Sequence, residues 1–173
     1  RAILFLLLFT GLRSCDIAGL TFRSIDWKTE QILVTQQKTS VPLELPLSAV
    51  VGNAIYDYLE SDRPDTGCPR MFLTETHPFS PLSTQGIANI VTNICRIAGV
   101  RQNPGDRKGT HIFRHNLASS MLENSVPQPV IAQTLGHTAP DSLEPYLRAD
   151  FVHLKECVLS VEQFPMAKEV LSI

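Results

Sequence analysis

Eight consecutive apolar residues, Ala2-Ile3-Leu4-Phe5-Leu6-Leu7-Leu8-Phe9, lie between Arg1 and Thr10-Gly11, and a run of this kind must be taken out of water. It is far shorter than the ~20 residues of a membrane span. No small-residue cleavage site follows it, as one would after a secretory leader. The pattern predicts a helix over residues 2–12, buried on nearly all sides and stopped near Gly11, around which the other elements pack. The chain opens without Met, so the expectation is a fragment starting inside a longer protein. Its 173 residues, 43% of them apolar, suit one domain (1–173) with its own core.

After Gly11 the sequence alternates clear starts and stops. Ser14 and Asp16 are placed to open a short second helix through Ile17 and Leu20, leaving Arg13 at a helix-helix junction. Gln31–Thr35 and Val41–Leu45 are β-prone and separated by Gln36-Gln37-Lys38-Thr39-Ser40, which reads as a hairpin with Lys38 at its turn. Ser48 heads a helix through Leu59, followed by a proline-containing loop over 62–69. Ser83 heads an amphipathic helix with Ile87, Ile90, Val91, Ile94 and Ile97 on one stripe, ended by Gly99. Thr110 heads another, with Phe113, Leu117, Met121 and Leu122 facing inward and Asn124 as its left-handed stop. A short helix over 127–135 stops at Gly136, placing His137 just past a helix end. From Asp150 to the C terminus (150–173), Phe151, Leu154, Val158 and Val161 form the stripe of an amphipathic tail helix.

Cys15, Cys68, Cys95 and Cys157 form no Cys-x-x-Cys pair, which argues against a disulfide framework or a zinc site and for a reducing cytosol. The net charge of −2 excludes a uniformly basic, DNA-coating surface. Local charge runs the other way: Arg101, Arg107 and Lys108 cluster in the loop before His111, while acidic residues gather at Asp57 to Asp65 and in the tail.

Six polar residues, ordinary when read singly, supply together what cleavage of a phosphodiester needs. Arg13 and Arg114 can each grip two phosphate oxygens with a planar, permanently charged fork and stabilise the transition state. Tyr146 can act as nucleophile, since its phenol is acidic enough to be activated and stores the bond energy as a phosphoester. Lys38 can protonate the departing 5′ oxygen, although as a solvated turn lysine it would need no function. His111 can take the tyrosine proton or help hold the phosphate, and His137 can donate to a nonbridging oxygen. His111 and His115 also have the one-turn spacing of zinc ligands, with His137 as a third. Arg114 on that same helix face would repel a metal, and no Glu stands beside His111 as a base.

The order and spacing of these residues closely resemble the tyrosine recombinase (phage integrase) family. The matching segments are Gly11-Leu12-Arg13, the hairpin Lys38, His111-Ile112-Phe113-Arg114, Leu135-Gly136-His137 and Tyr146, over about Ala2 to Arg148. Asp16, three residues after Arg13, matches the acidic residue that supports the arginine. The resemblance implies a mostly α fold with a small antiparallel β-sheet (α+β), and transesterification through a 3′-phosphotyrosyl intermediate without metal or other cofactor. It implies double-stranded DNA as substrate, held in part by Arg101, Arg107, Lys108 and His115, and a nucleoid-associated, cytoplasmic enzyme without a membrane anchor. It further implies an N-terminal core-binding domain outside this chain, and exchange of the tail helix between protomers of a homotetramer. The isolated fragment would be a monomer, and accessory DNA-bending or directionality proteins would join the assembly. Pro145, directly before Tyr146, departs from the pattern and restricts Glu144. A type IB topoisomerase and a catalytically idle DNA-binding module are the alternatives. The compact spacing from His137 to Tyr146 and the tail favour a recombinase over the first, and the complete set of six residues argues against the second.

Overall fold

In the computed structural model, which describes residues 1–100 and 109–136, the apolar run forms helix α1, Ala2–Thr10. Gly11 ends it with φ 61°, its N–H donating to Leu7 O at 3.2 Å; the left-handed turn suits a residue without Cβ. Ala2, Leu6, Leu7 and Thr10 are buried along one stripe. Leu8 and Phe9 are 36% and 50% exposed, so the expected burial on nearly all sides is corrected to one face. Burying Leu6 and Leu7 completely contributes about 2 kcal/mol each.

Helix α2, Ser14–Gly19, follows at once, with Arg13 as its N-cap residue in extended conformation. A 3₁₀ turn, Phe22–Ser24, leads into a three-stranded antiparallel sheet of β1 (Ile25–Asp26), β2 (Gln31–Thr35) and β3 (Pro42–Pro46), in that spatial order. The expected hairpin is β2–β3, in register Ile32↔Leu45 and Val34↔Leu43. Leu43 and Leu45 turn inward while Glu44 faces out, the period-2 signature of a half-buried strand. The prolines sit at the ends of β3, where a missing N–H costs least. Strand β1 was not foreseen: two residues are too few to show alternation.

Helix α3, Ala49–Asp57, continues into a π turn over Tyr58–Asp62. Helix α4, Thr84–Ile97, buries Ile87 and Val91, whereas Ile97, expected on the same stripe, is 71% exposed. Helix α5, His111–Glu123, packs against α1, and α6, Gln128–Leu135, packs on α5. The left-handed residue after α5 is Ser125 (φ 57°) rather than Asn124, whose φ is −90°. A large core joins α1 to α4 and the sheet, and a smaller one, Ala118, Leu122, Ile131 and Leu135, lies between α5 and α6. The mostly helical fold with a small antiparallel sheet is as expected. No helix among the described residues is long and apolar enough to cross a membrane.

Candidate active site

Arg114 is the centre around which the candidate site is built. Only 5% exposed, it would be costly to bury without partners. The last carbonyls of two helices supply them. Nη1 donates to Gly11 O, past the end of α1, at 2.9 Å, and Nη2 donates to Leu135 O at the end of α6. The C-terminal ends of helices carry unsatisfied carbonyls and partial negative charge, so one guanidinium caps two helices while they stabilise its charge. Fixing two of its five N–H groups fixes the plane of all five.

Arg13 enters from the α1–α2 junction. Its Nη1 donates to Gln36 Oε1 at 2.8 Å, and Gln36 Nε2 donates in turn to Leu135 O at 3.0 Å. The two arginines, far apart in the chain, are thus joined through one glutamine side chain and one carbonyl. Gln36 is fully buried, and its Oε1 also accepts from Thr39 Oγ1 at 2.7 Å. Sequence reasoning missed it, because a glutamine in a polar turn reads as solvated. Gly136 packs against it, leaving no room for a side chain: a Cβ there would lie 2.3 Å from Gln36 Nε2.

Asp16, expected to support Arg13, reaches the hairpin: Oδ1 accepts from the Gln37 backbone N–H at 2.8 Å, and no Asp16–Arg13 ion pair occurs among the described residues. Its support is indirect, since the segment it anchors carries Gln36. Burial, then the neighbouring Asp16 charge, pushes the Cys15 thiol above its ordinary pKa, which favours the thiol over the more nucleophilic thiolate.

Lys38 stands exposed in the hairpin turn, two residues from Gln36. His111 is exposed at the first turn of α5, and His115 is half-buried one turn on. Thr110 occupies the N-cap position of α5, but its hydroxyl donates to Ser14 Oγ at 3.4 Å rather than capping the helix. That contact ties the start of α5 to the start of α2. His137, Tyr146, Arg101, Arg107, Lys108 and the tail helix over 150–173 lie outside the described residues. The fold therefore joins Arg13 and Arg114 through Gln36 and Leu135 O at the ends of α1 and α6, with Lys38 exposed on the hairpin that carries Gln36 and His111 exposed at the start of the helix that carries Arg114. Such an arrangement suits an anion beside two oriented guanidiniums. Among the described residues no group of His, Cys, Asp and Glu is arranged to hold a metal ion.

The family described as "Phage integrase family" matches residues 1–153. The chain is 39% identical over 161 residues to "Putative integrase/recombinase y4gC" of Sinorhizobium fredii, covering 93% of this chain and 82% of that protein. It is 30% identical over 156 residues to "Tyrosine recombinase XerC 2" of Ralstonia nicotianae, covering 90% of this chain but 44% of that protein. The crystal structure of XerA recombinase superposes with a TM-score of 0.75 at 22% identity, over 96% of this chain and 58% of that one. The chain thus spans about half the length of these last two.

Proposed function

The chain belongs to the phage integrase family, and on that premise we propose that it cuts and rejoins DNA strands as the catalytic domain of a site-specific recombinase. The observation that carries this reading is the joining of Arg13 and Arg114 through Gln36 and Leu135 O, one residue before Gly136-His137. Two guanidiniums held in fixed orientation suit a scissile phosphate, whose transition state carries extra negative charge. Tyr146 Oη attacks the phosphorus and gives up its proton to His111. The bond to the 5′ oxygen breaks, and Lys38 protonates that oxygen. His137 donates to a nonbridging oxygen. The products are a 3′-phosphotyrosyl enzyme and a free 5′-hydroxyl. Attack by a second strand's 5′-hydroxyl then reverses the chemistry with no net energy input and no metal or other cofactor.

Double-stranded DNA is the substrate on this reading, with Arg101, Arg107, Lys108 and His115 contacting it beside the reacting phosphate, where the basic loop offsets an overall charge of −2. Paired sites would be held by a homotetramer linked through the tail over 150–173, with accessory DNA-bending or directionality proteins. Integration or excision of a mobile element fits this reading, as does chromosome maintenance, in a nucleoid-associated protein.

Covalent trapping tests the reading. Nicked duplexes covering the DNA that flanks the protein's own gene are incubated with protein and run on a denaturing gel beside Tyr146→Phe. A shifted band absent from the variant is expected. Its absence from wild type under conditions where DNA is bound would refute the cleavage assignment and favour an idle binding module.

A further inference from the structure

Gln36 has no exposed surface although it sits at the start of the hairpin turn, and its amide is engaged at both ends. Oε1 accepts from Arg13 Nη1 and Thr39 Oγ1, and Nε2 donates to the carbonyl that also receives Arg114 Nη2. Gly136, with φ 62°, closes against this amide so tightly that a Cβ would lie within 2.5 Å of three Gln36 atoms.

We propose that Gln36 is a positioning residue for strand cleavage, setting the plane of Arg13 relative to Arg114 and holding the Lys38 hairpin in register with the end of α6, from which His137 follows. The proposal rests on the reading of Arg13 and Arg114 as the phosphate-binding pair. Only an amide meets the chemistry of the position, because one end must accept from a guanidinium and a hydroxyl while the other donates to a carbonyl. Glutamate has the same length, but it sets a carboxylate oxygen against Leu135 O and pairs the Arg13 charge before a phosphate can. Asparagine is one methylene short. Methionine fills the volume and makes none of the three hydrogen bonds.

Full-length protein carrying Gln36→Met is compared with wild type on a cognate nicked duplex in single-turnover cleavage. The first-order rate constant is expected to fall about 10- to 100-fold, the range for losing hydrogen bonds to a charged group. The dissociation constant for DNA and the amplitude of covalent complex are expected to stay near wild type. A fall in amplitude with an unchanged rate constant would mean that Gln36 only supports folding, and would overturn the proposal. Thr39→Val, which removes one partner of Oε1 and leaves the apolar packing alone, is expected to slow cleavage by about 3- to 10-fold. An unchanged rate there, with Gln36→Met failing to fold, would also overturn it.

A second substrate separates this inference from its premise. With a methylphosphonate at the scissile position the anionic oxygen is gone, so oriented guanidinium charge matters less. Relative to wild type on that substrate, Arg13→Ala and Gln36→Met are both expected to recover. Recovery of Arg13→Ala without Gln36→Met sinks the positioning role and leaves the arginine assignment standing. If Arg13→Ala does not recover, the arginine assignment fails and the positioning role falls with it.

Discussion

At the scale of single residues, the site depends on places where side chains and backbone leave each other no slack. Gly136 is the sharpest case: it needs both a left-handed backbone and an empty Cβ position. Gly136→Ala strains the backbone by about 1 kcal/mol and forces Gln36 off its hydrogen bonds, so a total loss of about 2–4 kcal/mol is expected in chemical denaturation. Gly67→Ala, where a Cβ meets nothing within 4 Å, is the control and should change little. Arg114→Lys keeps the charge but loses the fork that spans Gly11 O and Leu135 O. It should cost about 1–3 kcal/mol of stability and lower the cleavage rate more than it weakens DNA binding, because a point charge cannot reproduce a bidentate grip. Wild-type cleavage by that variant would remove Arg114 from the reacting phosphate. Arg13, Lys38, His111 and Arg114 stand out in the sequence because their residue types and order match what the proposed chemistry needs. Gln36 does not, because its value comes from a carbonyl 99 positions away, and no local pattern encodes that distance.

Elements show the same division between local and long-range information. The helices were readable from apolar spacing and from their stops: Gly11 and Gly136 both end helices in the left-handed conformation, as the sequence indicated. Capping was less readable, since a serine or threonine at a helix start can be drawn elsewhere by a tertiary partner. Ser83 caps α4 through Oγ, accepting from Gly86 N–H at 3.0 Å, whereas Ser48 at the start of α3 makes no side-chain cap bond. Ser83→Ala should therefore cost about 1 kcal/mol, and Ser48→Ala should stay within about 0.5 kcal/mol; equal losses in a denaturation series would contradict the difference. The loop after α3, which the sequence marked by two prolines and a glycine, has a long-range organiser of its own. Arg63 donates to the carbonyls of Pro64, Cys68, Arg70 and Met71, and its guanidinium lies over the Phe22 ring. A surface arginine and a carbonyl-satisfying arginine look alike in sequence.

On the scale of the whole molecule, the described residues fall into two apolar clusters of unequal size, joined by the packing of α5 on α1, with Phe113 against the larger cluster, and by polar contacts. Eighteen buried residues hold α1 to α4 and the sheet together, while four hold α5 to α6. The links between them include Arg114 to Gly11 O, Gln36 to Leu135 O and Thr110 to Ser14. Net hydrogen bonds contribute about 1 kcal/mol each, more where a charge is involved, whereas each fully buried leucine or isoleucine contributes about 2 kcal/mol. Helix α6, held to the rest through the smaller cluster and these links, should therefore open first, without global unfolding. Native-state hydrogen exchange provides the check: the amides of α6 should exchange with a lower opening free energy than those at the centres of α1 and α3. Uniform protection across all three helices would show instead that the polar links bind the two clusters into one cooperative body. The outcome bears on the chemistry, because α6 ends at the carbonyl shared by Arg114 and Gln36. An α6 that opens alone takes that carbonyl away from Arg114 and from the Gln36 amide that holds Arg13, so the link between the two guanidiniums would be lost before the larger core is disturbed.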